Sequence, residues 1–185
     1  MNSWWYVWDS EIDSNECDSI KSFFDTENKQ VGKVGDNSAN TQIRTSTVVG
    51  FPYGTKSNQE INNILEKYIV LANREAFGYS LNGLQEFQIA EYKEGGFYKE
   101  HMDTRLSDIR PSQRKLSITV QLSDISDYSG GDFMFSKDIP TPEQKIIKQK
   151  GTILVFPSFI YHQILPVTKG TRYSLVGWYE GNAWM

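Results

Sequence analysis

From Leu84 onward the apolar residues of this chain leave a helical spacing for a period of two, and they keep it almost to the end. Apolar-rich runs fall at 86–92, 97–103, 115–122, 132–135, 145–149, 152–156, 160–165 and 172–179. Glycines at Gly95-Gly96, Gly130-Gly131, Gly151 and Gly170 mark breaks between them. Period two gives each strand one apolar face, and glycine-marked breaks at short intervals turn the chain back on itself. With no helix-length pattern after position 84, eight successive short strands predict a mainly β fold, either a jelly roll or a closed barrel.

The first half carries the helical signals. An aromatic strand is expected at Trp4–Trp8, and Ser14–Phe24 places Cys17, Ile20, Phe23 and Phe24 on roughly one helical face. Lys29–Thr47 mixes Gly, Asn, Ser and Lys with few large apolar residues and reads as a mobile excursion suited to a lid. Ser57-Asn-Gln-Glu60 matches a capping box, with Ile61, Ile64, Leu65, Tyr68 and Ala72 at helical spacing behind it, so a second helix should end before Gly78. At 185 residues the expectation is one domain, with a strand and supporting helices over 1–83 and a strand-built core over 84–180.

Charge and cysteine usage narrow the function classes. Asp and Glu outnumber Lys and Arg by 23 to 19, for a net charge of −4, which argues against general electrostatic capture of nucleic acid or an anionic membrane. No apolar run approaches the roughly 20 residues needed to span a bilayer. The opening MNSWWYVWDSE lacks a basic start, an aliphatic stretch and a small-residue cleavage site, and the single Cys17 suits a reducing compartment. A cytoplasmic protein is expected, without membrane or nucleic-acid partners. Any metal must be held by His and carboxylate.

Only two histidines occur, His101 and His162, and Asp103 follows the first at i+2. On a strand, i and i+2 share a face, so His101 and Asp103 can aim two ligands at one point while His162 closes the set from another strand. Two imidazoles and one carboxylate on one face are the facial triad of non-haem Fe(II) oxygenases, which leaves metal positions open for a cosubstrate and O2. Read alone, an HxD pair is more often a hydrogen-bonded surface pair. Arg172, with Ser174 on the same strand face, can take a carboxylate through a two-pronged ion pair and a hydrogen bond, or it can be a solvated strand end.

The order HxD, His, Arg-x-Ser resembles the 2-oxoglutarate-dependent Fe(II) oxygenase superfamily, and within it the prolyl 4-hydroxylase-like group. Tyr92-Lys-Glu-Gly95-Gly-Phe-Tyr98-Lys-Glu-His101-Met-Asp103 is similar to the group's Tyr-x-x-Gly-x-x-Tyr-x-x-His-x-Asp. Arg114–Leu122 with Gly130-Gly131-Asp132, then Phe156-Pro157-Ser158, His162, Pro166-Val167, Gly170 and Arg172, resemble its later strands. The likeness covers residues 84–180, reaches weakly to Ile12–Asp18 and does not extend to 27–56. Its size and its Pro-Val-x-x-Gly-x-Arg ending bring the chain nearest to short PKHD-type hydroxylases.

The resemblance implies a double-stranded β-helix, that is, a cupin-like jelly roll, buttressed by N-terminal helices. It implies Fe(II) on His101, Asp103 and His162, with 2-oxoglutarate and O2 as cosubstrates and ascorbate as an accompanying reductant. By the same carry-over, Tyr92 joins Arg172 and Ser174 on the distal carboxylate of 2-oxoglutarate, and Tyr98 lines the substrate side. Trp178 shares the parity of Arg172 and Ser174 and suits either a pocket wall or core packing. Arg105, with Arg110, Arg114 and Lys115, makes a local basic patch that fits a substrate-facing rim or a solvated loop. The implied reaction is hydroxylation of a peptidyl proline, coupled to conversion of 2-oxoglutarate to succinate and CO2. A free amino acid or other small-molecule substrate, or a metal-free jelly-roll binding module, are the other readings, and oligomeric state is not encoded in any of these signals.

Overall fold

Strand β1 (Tyr6–Trp8) leads into helix α1 (Ser14–Thr26), which Asp13 starts by accepting hydrogen bonds from the Asn15 and Glu16 amides at 2.8 and 3.0 Å. The carboxylate thus satisfies two of the four amides that a helix start leaves without partners. Helix α2 (Gln59–Ala72) runs into a π-helical turn over Asn73–Phe77 and stops at Gly78, in the expected place. Its start differs from expectation. The cap position is Asn58, whose side chain makes no capping bond, and Ser57 of the expected capping box lies outside the described residues. These elements belong to a computed structural model that describes residues 3–32, 40–52, 58–104 and 111–184.

The strands are β2 (Gln30–Val31), β3 (Arg44–Thr45), β4 (Thr47–Pro52), β5 (Leu81–Tyr92), β6 (Phe97–His101), β7 (Ser112–Gln121), β8 (Tyr128–Gly130) and β9 (Phe133–Phe135). After a short helix α3 (Gln144–Ile147) come β10 (Ile153–Pro157), β11 (His162–Ile164), β12 (Val167–Gly170) and β13 (Arg172–Asn182). A seven-stranded sheet has the order β1-β10-β7-β13-β5-β4-β2, a four-stranded sheet the order β3-β6-β11-β9, and β12 pairs with β8. Every pairing is antiparallel, so the mainly β, jelly-roll expectation holds.

Alternation along the long strands divides the large sheet into two working faces. Phe87, Ile89, Leu116, Ile118, Val120 and Leu175 pack with Cys17, Ile20, Phe24, Ile61, Leu65 and Ile69 of the two helices. A Cβ at Gly177 would stand 3.1 Å from Leu65 Cδ1, so that glycine lets α2 lie close on β13. The opposite parity, Ala90, Tyr92, Leu154 and Phe156, joins Phe133, Phe135 and Ile164 of the smaller sheet in a second cluster. The site sits between the sheets at one end of this second cluster.

Two expectations fail. Residues 145–149, read as a strand, overlap α3 instead, and β10, the next strand along the chain, already has β7 and β1 on its two edges. A single helical turn buries Ile147 and lets Lys148 Nζ reach Asp132 and the Gly130 carbonyl at 2.9 and 2.8 Å. The excursion 29–47 also contributes strands: β2 pairs with β4, and β3 pairs with β6. A lid over 33–39 lies outside the described residues.

Candidate active site

His101 ends β6 and His162 begins β11, and the two are direct partners in the antiparallel register. Asp103 does not continue the strand, as i+2 parity had required, but stands on a bend beyond it. Its amide donates to the Ser158 carbonyl at 2.9 Å, and that bond swings the carboxylate beneath the two rings. His101 Nε2 lies 3.6 Å from Asp103 Oδ1 and His162 Nε2 lies 3.6 Å from Oδ2, and the three donor groups fall within 4.8 Å of one another.

The tautomers follow from the outer bonds. His101 Nδ1 lies 2.8 Å from the Lys99 carbonyl and His162 Nδ1 lies 2.9 Å from the Ile160 carbonyl. A carbonyl only accepts, so each Nδ1 carries a proton, and a neutral ring in that tautomer turns the bare lone pair of Nε2 toward the carboxylate. Burial pushes His162 down to about 4, so it is neutral at neutral pH. Burial works against charge on Asp103, but the positive charge that His162 and His101 carry when protonated in acid, together with Arg114, holds its carboxyl well below the usual carboxylate range. With the rings neutral, acceptor atoms face one another at distances too long for hydrogen bonds, a donor set that fits a divalent cation.

The rings are fixed from behind. Tyr98 stacks on His101 with centroids 3.5 Å apart and planes 16° from parallel, although residues three apart on a strand should face oppositely. A bulge resolves this: Tyr98 pairs with Ile164 while His101 pairs with His162, so β6 carries one extra residue and both side chains reach the same side. Phe133 and Phe156 pack on His162 with centroids 5.6 and 4.7 Å away. Burial pushes the Tyr98 phenol up to about 12, so it stays protonated.

A cavity of about 570 Å³ opens in front of this cluster. Across it Arg172 and Tyr92, register partners on β13 and β5, lie with the guanidinium carbon 5.7 Å from the ring centre, and Arg172 Nη1 bonds Ser174 Oγ at 3.4 Å. All three are buried, yet no carboxylate of the described residues forms an ion pair with Arg172. A Cβ at Gly131 would stand 3.1 Å from Arg172 Cδ, so the second glycine of Gly130-Gly131 makes room for the arginine's stem.

Every expected site residue within the described set lines this one cavity: Tyr92, Tyr98, His101, Asp103, His162, Arg172, Ser174 and Trp178. Arg105 lies outside the described residues. The basic patch around it divides, for Arg114 turns to the cavity while Lys115 is buried with Nζ 3.5 Å from the Trp184 ring centre. Sequence reasoning missed Arg44, Gln85 and Glu86, and it missed the site role of Arg114. Arg114 bonds Gln85 Oε1 at 2.9 Å and Glu86 Oε1 at 2.5 Å and lies 4.0 Å over the Trp178 ring, while Arg44 lies 4.6 Å over Tyr98. Register shifts where β13 meets β5 and β7 bring Gln85, Glu86 and Arg114 together, while Arg44 arrives as the β3 partner of Tyr98, and no local sequence signal reports either pairing.

Two sheets closing over a His-Asp-His cluster, with a buried arginine opposite, define a jelly-roll protein of the double-stranded β-helix class. A family model described as the 2OG-Fe(II) oxygenase superfamily matches residues 87–180, and the chain belongs to that superfamily. It is 34% identical over 92 residues to a PKHD-type hydroxylase of Idiomarina loihiensis, a match covering 50% of this chain and 40% of that relative. It is 31% identical to one from Synechococcus elongatus over 74% of this chain and 57% of the relative. The chain thus spans about two fifths to three fifths of the length of these curated relatives. Its fold is similar to that of a viral collagen prolyl hydroxylase from Paramecium bursaria Chlorella virus-1, in a 2OG complex, with a TM-score of 0.73, 20% identity and 97% of both chains covered. It is also similar to a Trichoplax adhaerens prolyl hydroxylase in complex with a peptide fragment, with a TM-score of 0.75, 17% identity and coverage of 96% of this chain and 83% of that one. Among the described residues no helix is long and apolar enough to cross a membrane.

Proposed function

We propose that this chain is a dioxygenase domain that uses Fe(II), 2-oxoglutarate and O2 to hydroxylate an unactivated C–H bond, with a prolyl residue of a peptide as substrate. The observation that carries the reading is the cluster geometry: Nε2 of both histidines, left free for a ligand role because each Nδ1 bonds a carbonyl, and the Asp103 carboxylate turned toward one point. His101, Asp103 and His162 would hold the metal. Arg172, Ser174 and Tyr92 would take the distal carboxylate of 2-oxoglutarate, which supplies the counter-charge that the buried guanidinium lacks among the described residues. When bound, the metal would activate O2, the oxidant, one oxygen atom ending in the hydroxylated substrate and the other in succinate as 2-oxoglutarate loses CO2.

The protein's own work is placement and exclusion of water. Phe133, Phe156 and Ile164 keep the His162 side dry, and the Tyr98 stack holds the His101 ring. The remaining wall, Arg44, Glu86, Arg114 and Trp178, is polar and aromatic and is placed to receive the substrate. Trp178 Nε1 is buried with no hydrogen-bond partner among the described residues. The large sheet serves both the helix-packed cluster and the site-bearing cluster, which supports one domain over 1–185, with 1–83 buttressing a core over 84–180.

The test incubates Fe(II)-loaded protein, 2-oxoglutarate and O2 with a proline-rich peptide panel and, separately, with free L-proline. A mass gain of one oxygen atom on a peptide proline is expected. Product from the free amino acid alone would replace the peptide with a small-molecule substrate.

A further inference from the structure

Asp103 stands outside the β ladder, so something other than strand pairing must hold its carboxylate. Ser158, completely buried just after β10, accepts the Asp103 and Thr104 amides on its carbonyl at 2.9 and 3.2 Å and donates its own amide to the Lys115 carbonyl at 2.9 Å. The side chain of Asp103 is held separately. Ser117 Oγ, also completely buried, donates to Asp103 Oδ2 at 2.7 Å, and Ser158 Oγ lies 2.9 Å from Ser117 Oγ.

Proton counting fixes the direction of this chain. Ser117 has one hydroxyl proton, and the ionised carboxylate can only accept it. Between the two hydroxyls the donor must therefore be Ser158. The Ser158 O–H then points at Ser117 Oγ and the Ser117 O–H at Oδ2, head to tail, so each bond strengthens the next. Oδ2 is pinned, while Oδ1 accepts no hydrogen bond from the described residues and stays available.

We propose that Ser117 and Ser158 are positioning residues, a two-hydroxyl relay that presets the Asp103 carboxylate for the divalent metal. The inference rests on the metal reading of His101, Asp103 and His162 given above. Ser117 lies on the cavity-facing parity of β7, between Leu116 and Ile118 of the helix-packed cluster, where an apolar side chain would satisfy packing alone. A hydroxyl completely removed from water there is costly unless it is bonded, and its bond goes to Asp103. Without the relay the carboxylate is free to turn about its terminal torsion, and binding must then order it.

The experiment is Mn(II) titration of metal-free protein by electron paramagnetic resonance, with thermal unfolding of the same metal-free samples. Ser117→Ala should weaken Mn(II) binding by roughly 10- to 100-fold, the usual effect of removing an outer partner of a metal ligand, while the metal-free protein melts close to wild type. Ser117→Thr keeps the hydroxyl and should bind as wild type. Ser158→Ala should cost less, and it should cost nothing further in the Ser117→Ala background, because it acts through Ser117. Ser117→Cys keeps the volume with a weaker donor and gives the same reading if the alanine variant does not fold. Wild-type affinity in folded Ser117→Ala or Ser117→Cys would overturn the proposal, as would a full additional loss from Ser158→Ala in the double variant. His162→Ala separates the two readings: loss of Mn(II) there with none in Ser117→Ala removes the relay alone, whereas retention of Mn(II) in His162→Ala removes the metal assignment beneath it.

Discussion

Arg172 reaches the cavity as a buried cation whose bonding with the described residues consists of one long contact to Ser174 and the face of Tyr92. Such a group is stable when an anion completes it, and losing one member of a buried charge-assisted pair costs about 2–5 kcal/mol. Arg172→Ala should therefore raise the 2-oxoglutarate dissociation constant roughly 30-fold to several thousandfold, measured calorimetrically on Mn(II)-loaded protein, with Mn(II) affinity unchanged. Arg172→Lys should fall between, because the charge stays while the planar fork is lost. An unmoved 2-oxoglutarate affinity in Arg172→Ala would remove it from the anchor. At this scale the sequence was most readable where residue type limits chemistry: with two histidines and one cysteine in the chain, a metal cluster had few ways to be built. Ser117 and Ser158 were invisible for the opposite reason, since serine is common and only the fold joins two of them to one carboxylate.

Helix α1 shows how separable the supporting elements are from the site. Asp13 caps it on the surface and does not line the cavity, and a lost side-chain cap costs about 1 kcal/mol. Asp13→Ala should lower the melting temperature by about 2–4 °C and leave metal and 2-oxoglutarate affinity as in wild type. A changed affinity would mean that α1 reports to the site. Period-two alternation made β5, β7 and β13 legible, along with the parity that brings Tyr92, Arg172 and Ser174 to one cavity. It failed where that period breaks. The bulge in β6 sets Tyr98 against His101, and the shifts opposite β13 gather Gln85, Glu86 and Arg114, all products of pairing with distant strands. The short α3 was missed for a related reason, because whether an apolar segment joins a sheet depends on distant strands, and β10 beside it is already paired on both edges.

At the scale of the whole molecule, one seven-stranded sheet holds helices on one face and the cavity wall on the other. The smaller sheet closes over that wall, and its paired histidines meet the arginine of the larger sheet across about 570 Å³ of space. The two proposed histidine ligands and the proposed carboxylate anchor therefore come from different sheets, and on that reading one cosubstrate would touch both. That is the central claim, and anaerobic titration of 2-oxoglutarate into Fe(II)-loaded protein, followed by its visible charge-transfer absorbance, tests it most directly. The account predicts a band that saturates at one 2-oxoglutarate per chain and is absent in His162→Ala. No band in the wild-type protein, or an equal band in well-folded His162→Ala, would contradict it.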